Sequence, residues 1–133
     1  MKKYEFLEHP ADIKIKSYGS DLAELFTNSA LGMMDFLYDL QSVKITHHES
    51  IEVTGENLEN LLVNWLSELL FLSDINNRAY IEFSIKKVDN TSVIAVLGSG
   101  MAVSRDDIKA VTYHDLQVIR VENAWEAIVV YDI

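Results

Sequence analysis

The groups in this chain that could do chemistry are carboxylates and histidines. The sequence has no cysteine and lacks a serine nucleophile elbow, a Walker loop, a dinucleotide fingerprint and a His-Glu-x-x-His motif. Asp132 and the α-carboxylate of Ile133 lie within a few ångströms of each other by covalent connection. A hard cation such as Ca²⁺ or Mg²⁺ prefers such oxygens. The same spacing also describes a frayed, exposed terminus, so the spacing leaves both interpretations open.

The histidines give weaker signals. His47 and His48 are adjacent in a polar stretch, and neighbours in a strand point to opposite faces. We therefore interpret them as solvated residues of a connecting loop rather than as metal ligands. His114 lies beside Asp115 in a predicted strand, where the two side chains would again diverge. We expect His114 to be buried and hydrogen-bonded rather than to form a preset pair with Asp115, and we keep it as a secondary candidate site residue.

Residues 58–74 predict the central helix, around which the other elements must be arranged. Apolar side chains recur there at helical spacing over a wide face, with Trp65 in its middle. Thr54, Gly55 and Asn57 offer N-terminal caps, and Asn76 and Asn77 tolerate the left-handed conformation that ends many helices. So wide a face must lie against a sheet over most of the helix circumference.

A second amphipathic helix is predicted from Leu22 to about Leu40. Ser20 is its expected N-cap. Met33 and Met34 are expected to fill the core rather than to form an adaptable binding surface.

The remaining patterns are those of strands, and the whole predicts an α+β domain spanning 1–133. Two amphipathic helices would pack on a largely antiparallel β-sheet. Asp89-Asn90 and Glu122-Asn123 are turn signals, with Asn123 suited to positive φ, and residues 98–107 are expected to be irregular. Pro10 should break strand pairing. The predicted strands are residues 4–7, 12–17, 51–53, 80–87, 93–97 (central in the sheet, with both faces covered), 109–119 and 125–131.

Composition excludes several classes of protein. The chain has 133 residues, 49% of them hydrophobic, and a formal net charge of −10. That charge argues against direct nucleic-acid binding through phosphate neutralisation. No apolar run reaches the roughly 18 residues of a membrane span, and Glu5 and Glu8 precede any apolar run that a signal peptide would need. We expect a cytoplasmic protein.

Four separated blocks of sequence resemble the archease family, in the right order and spacing from end to end. The first is His-Pro-Ala-Asp-Ile at 9–13, and the second is Leu-Leu-Val-Asn-Trp-Leu-Ser-Glu-Leu-Leu at 61–70. The third is Lys-Ala-Val-Thr-Tyr-His at 109–114, and the last is Val-Tyr-Asp-Ile at 130–133. Archeases are small acidic proteins that assist the RtcB-type tRNA-splicing ligase.

The resemblance implies a function and a site. The chain is expected to promote guanylylation and multiple turnover of that ligase rather than to catalyse ligation. It is also expected to hold a divalent metal, Ca²⁺ with Mg²⁺ or Mn²⁺ as alternatives, through Asp12, Asp132 and the C-terminal carboxylate of Ile133. Lys109 corresponds to a lysine that the family requires for function. The family usually has Thr where this chain has Pro10, which alters the hydrogen bonding beside Asp12.

Two other functions remain open at this point. The same carboxylates would suit a metal-dependent phosphoester hydrolase. A chaperone-like interaction module with a purely structural metal is the third hypothesis.

Overall fold

A computed structural model describes residues 2–7 and 11–133 of the chain. Within that part the chain forms two α-helices, ten strands and one 3₁₀ turn, Leu40–Ser42. The helices are α1, Leu22–Leu37, and α2, Leu58–Asn76. The strands are β1 Tyr4–Leu7, β2 Ile13–Gly19, β3 Tyr38–Asp39, β4 His47–Thr54, β5 Ala79–Val88, β6 Ser92–Gly100, β7 Val103–Ser104, β8 Ala110–Val111, β9 Gln117–Val121 and β10 Ala124–Asp132.

The strands form two main sheets rather than the single sheet expected from the sequence. One has the order β1-β2-β10-β8, with β9 also paired to β10, and the other has the order β4-β6-β5. The short strands β3 and β7 pair with each other. Every pair among the described strands is antiparallel, and both helices contribute to one hydrophobic core. The predicted α+β class with a largely antiparallel arrangement is therefore confirmed.

Helix α2 forms as its sequence predicts. Asn57 caps its start by accepting a 2.8 Å hydrogen bond from the Asn60 N–H, and Asn77 ends it with φ of 55°. Trp65 is fully buried, with ring centroids 6.1 Å from Phe26 and 6.0 Å from Phe83. Its indole N–H donates a 3.1 Å hydrogen bond to the Phe26 carbonyl oxygen. The helix ends two residues later than predicted.

Helix α1 begins and ends differently from the prediction. Its N-cap is Asp21, not Ser20, because the Asp21 carboxylate accepts from the Glu24 N–H at 2.8 Å. The helix ends at Leu37 rather than near Leu40, because the chain becomes extended at Tyr38 to pair with β7. The neighbouring methionines, at positions 33 and 34, are fully buried core residues, as expected.

The three-stranded sheet takes in residues that were predicted to lie in loops. His47 and His48 are exposed, as expected, but they belong to β4 rather than to a loop. Strand β6 is central, as predicted, yet it continues to Gly100, where a Cβ would lie 2.0 Å from the Lys44 carbonyl oxygen. Ile94, on its outer side, is only partly buried, so its two faces are not equally covered.

The predicted strand 109–119 is interrupted. A turn separates β8 from β9, and it includes Asp115, which has a φ of 52°. At the next turn Glu122, and not Asn123, takes the positive φ. The expected break at Pro10 lies outside the described residues. No helix within residues 2–7 and 11–133 is both long and apolar enough to cross a membrane.

The raised pKa of the Tyr4 hydroxyl predicts a loss of stability at high pH. Its hydroxyl donates a 2.8 Å hydrogen bond to Asp35, and burial first, then this bond, raises its pKa from 10.0 to about 12. The unfolded chain then releases this proton at lower pH than the folded chain, so the free energy of unfolding should fall as pH rises from 10 towards 12. Tyr4→Phe should flatten this fall in denaturant titrations, and Tyr113→Phe, at an exposed tyrosine, should not. An unchanged slope in Tyr4→Phe would contradict the prediction.

Candidate functional site

The pairing of β2 with β10 brings the two ends of the chain together. Its last paired residues are Ile13 and Tyr131. Asp12 and Asp132 each lie one residue beyond that pair, at the same end of the five-stranded sheet. Strand alternation places Asp132 on the opposite side from Tyr131, which is buried in the core. The pairing register therefore brings together two carboxylates that are separated by almost the whole sequence.

Lys109 reaches the same end of the sheet from the other side of β10. Strand β8 pairs with β10 so that Ala110 lies opposite Asp132. The Lys109 backbone N–H donates a 2.7 Å hydrogen bond to the Asp132 carbonyl oxygen. Its side chain is exposed and makes no ion pair within the described part of the chain. Ile133, the residue after Asp132, is 43% exposed.

A further charged pair lies next to this end of the sheet. Lys14 stands opposite Val130 on β10, and its Nζ lies 3.7 Å from the Asp115 carboxylate. Lys14 follows Asp12 by two residues, which places it on the same side of β2. Neither Lys14 nor Asp115 was predicted as a site residue. The alternation along β2 could have predicted that Lys14 lies on the same side as Asp12. Nothing in the local sequence predicts that Asp115 lies close to Lys14.

The environment of His114 differs from the one predicted. It lies in the turn between β8 and β9, and its side chain is 67% exposed rather than buried. Its Nε2 lies 3.5 Å from the Asp115 carboxylate, so these neighbours do meet. They do so because they lie in a turn with positive φ at Asp115, and not in a strand where successive side chains diverge.

The donor atoms at the strand ends suit a hard cation. Asp12 and Asp132 offer side-chain carboxylates, and Ile133 offers its α-carboxylate, which is the oxygen chemistry that Ca²⁺ and Mg²⁺ prefer. No group of three or more His, Asp or Glu side chains among residues 2–7 and 11–133 is arranged to hold a metal. The set implied by the resemblance contains only two such side chains, since its third member is the chain terminus.

A second titratable pair lies on the other sheet. His48 Nε2 is 3.0 Å from a Glu82 carboxylate oxygen. Both residues pair with Gly98 of the central strand, one from each side. A Cβ at Gly98 would lie 2.9 Å from the Glu82 Cβ. The glycine therefore allows the two side chains to meet across the central strand.

Comparisons with known proteins agree on one family. A profile of the Archease protein family matches residues 4–133. The chain is 37% identical to protein archease of Methanosarcina mazei, over 99% of this chain and 97% of that protein. It is 33% identical to protein archease of Pyrococcus abyssi, over all of both chains.

Solved structures support the same fold. The solution structure of Methanobacterium thermoautotrophicum protein 1598 superposes with a TM-score of 0.83 at 32% identity, covering all of both chains. The crystal structure of a Thermotoga maritima protein, described as an archease and possible chaperone, gives a TM-score of 0.64. At 22% identity, over 96% of this chain and 94% of that one, this second likeness concerns the fold alone.

Proposed function

Since the chain belongs to the archease family, we propose that it is an accessory protein that activates an RtcB-type tRNA-splicing ligase in the cytoplasm. In this role it promotes guanylylation of the ligase, in which GMP is transferred from GTP to the ligase and pyrophosphate is released, and it supports repeated turnover. The observation that carries the proposal is the convergence of Asp12, Asp132 and Lys109 at one end of the sheet. A small domain that is not itself an enzyme can present such a charged end to a partner's nucleotide site.

The carboxylates of Asp12, Asp132 and the C terminus would hold a divalent cation, Ca²⁺ with Mg²⁺ or Mn²⁺ as alternatives. Carboxylates that converge on one site repel one another unless a cation lies among them. A bound cation would supply positive charge that stabilises phosphate oxygens. Strand β10 carries Asp132 and strand β2 begins directly after Asp12. The paired strands therefore provide a framework next to both aspartates.

Lys109 contributes a second positive group. Its backbone is fixed by the hydrogen bond to Asp132, while its side chain extends into solvent. A flexible ammonium group at this position suits a point contact with a phosphate or a carboxylate of the partner. Because Lys109 forms no ion pair within the described residues, such a contact would break none of the ion pairs seen there.

A C-terminal extension tests the assignment of Ile133. Adding two glycines after Ile133 moves the α-carboxylate away without changing a side chain. We expect the calcium affinity measured by calorimetry to fall about tenfold or more, because one of three charged oxygen ligands is lost. The same two glycines at the N terminus are the control and should leave the affinity unchanged. Equal affinity for both extended proteins would remove Ile133 from the site.

The function itself is tested by guanylylation of purified ligase with GTP, with and without this protein. We expect faster formation of the ligase–GMP adduct when the protein is present. Turnover of a generic phosphoester by this protein and metal alone would instead support the hydrolase hypothesis.

The chaperone-like hypothesis differs from our proposal in the role that it gives to the metal. It predicts that Asp12→Ala still assists the ligase after the metal is lost, because a structural metal takes no part in the partner's chemistry. Our proposal predicts that this variant fails.

A further inference from the structure

A groove lies between α2 and the segment at 104–111, and the proposed site does not account for it. Its volume is about 650 Å³. Leu70 and Phe71 of α2 form one wall, and Ile108 and Val111 lie on the opposite side. Ile108 is buried and anchors its segment to the core. The groove is therefore a shaped depression between two fixed elements.

Helix α2 exposes large apolar side chains at this groove. Phe71 is 57% exposed and Ile75, one helical turn further on, is 58% exposed. Residues four apart lie on one side of a helix, so Ile75, which is not part of the groove lining, extends the exposed apolar patch of Phe71 along α2. Leu62, Leu66 and Leu69 already bury the core side of α2. Adjacent exposed apolar residues beside a depression are typical of an interaction surface, whereas single ones are not.

The rim of the groove carries negative charge that no basic side chain among the described residues neutralises. Asp74, Asp106 and Asp107 line it and are exposed. In the described part of the chain none of the three forms an ion pair with a basic side chain. The adjacent Arg105 turns away and lies 3.4 Å from both Asp35 and Asp39.

We propose that this groove docks a segment of the partner ligase that carries Arg or Lys side chains beside an apolar anchor. The anchor would cover Phe71, and the basic groups would neutralise the aspartates of the rim. Nucleic acid and anionic lipid surfaces do not fit, because a rim lined by carboxylates repels phosphates. The inference rests on the proposed function for the identity of the partner, and on the charge and shape of the groove for the chemistry of the contact.

The groove also continues to the proposed site. Lys109 lines it and is joined through its backbone to the Asp132 carbonyl. A ligase segment seated in the groove would therefore hold the ligase beside the end of the sheet where the carboxylates converge. Docking and activation would use adjacent surfaces, with Lys109 at their boundary.

The test measures binding of purified ligase to immobilised protein at several salt concentrations. Asp106→Lys/Asp107→Lys should weaken binding about tenfold or more and flatten its salt dependence, because charge complementarity controls association. Glu52→Lys/Glu56→Lys makes the same change of charge at exposed positions outside the groove lining and should alter affinity far less. A similar loss in both double variants would mean that net charge alone matters and would overturn the proposal.

The apolar contact is tested separately. Phe71→Ala should also weaken binding, while Ile119→Ala, which removes a 44% exposed apolar residue from β9, should not. If the wild-type protein stimulates the ligase and Phe71→Ala binds the ligase as tightly as the wild-type protein does, the docking proposal is refuted while the proposed function stands. Failure of the wild-type protein to bind or stimulate the ligase would refute the proposed function as well. A concentration-dependent dimer seen by light scattering, and lost in Phe71→Ala, would assign the groove to a second copy and overturn the proposal.

Discussion

Trp65→Ala should lower the free energy of unfolding by about 3–5 kcal/mol, the range for loss of a large buried aromatic side chain. Trp65 is fully buried and lies between Phe26 on α1 and Phe83 on β5. Alanine would leave a cavity where three elements meet and would leave the Phe26 carbonyl without the indole donor. Urea unfolding followed by circular dichroism measures the change.

Two controls separate cavity formation from other effects. Trp65→Phe loses the indole hydrogen bond but keeps an aromatic ring, so it should cost less than Trp65→Ala. Trp125→Ala makes the same substitution at a partly buried position, where the ring centroid lies 5.8 Å from the Arg120 guanidinium carbon. It should lower the free energy of unfolding by less than about 3 kcal/mol. An unfolding midpoint of Trp65→Ala close to the wild-type value would mean that α2 is not the central element of the core.

The largest functional effects are expected from Asp12→Ala and Lys109→Ala. Each should leave a folded protein that has lost most of its stimulation of ligase guanylylation, by about tenfold or more, which corresponds to roughly 1.4 kcal/mol of activation free energy. Neither residue belongs to the hydrophobic core. Exposed substitutions such as Lys109→Ala usually change stability by no more than about 0.5 kcal/mol. Circular dichroism and unfolding midpoints establish that the fold is retained.

The two variants should differ in metal binding. Asp12→Ala removes a proposed ligand and should abolish calcium binding in calorimetry, whereas Lys109→Ala should keep it, since a protonated lysine cannot ligate a metal. Lys86→Ala, at an exposed lysine on β5, is the matched control and should keep both properties. Full stimulation by both site variants at the concentration of the parent protein would exclude this end of the sheet from activation.

Local sequence predicted α2 well because the signals that define it are local. Its apolar spacing, the Asn57 cap and the left-handed Asn77 all lie within or next to the helix. The end of α1 was missed because Tyr38 leaves the helix to pair with Ser104, a contact distant in sequence. Periodicity within a window cannot predict such pairing.

The break in the strand predicted at 109–119 was missed for a related reason. Positive φ falls on Asp115, while the sequence offers no glycine there. The turn is held by tertiary contacts, including the 3.7 Å approach of Lys14 to Asp115 and the hydrogen bond from the Thr112 N–H to the Val130 carbonyl. The wrong prediction of a buried His114 follows directly from placing it in a strand.

The candidate site was only partly predictable. Asp132 and Ile133 are neighbours by covalent structure, but nothing in their spacing pairs them with Asp12. The family resemblance supplied that pairing. The register of β2 on β10 gives the pairing a structural basis, because it places both aspartates at the same end of the sheet. The groove beside Phe71 could not be predicted, because helical spacing alone does not tell which apolar residues remain uncovered.

The most direct test of the account counts ligated RNA molecules formed per molecule of purified ligase, with this protein present at a concentration well below that of the ligase. An activator that restores guanylylation after each cycle should let the product exceed the number of ligase molecules. Without the protein, or with Asp12→Ala in its place, product should stop near one per ligase molecule. Equal product with and without the wild-type protein, under conditions in which the ligase depends on guanylylation, would contradict the proposed function.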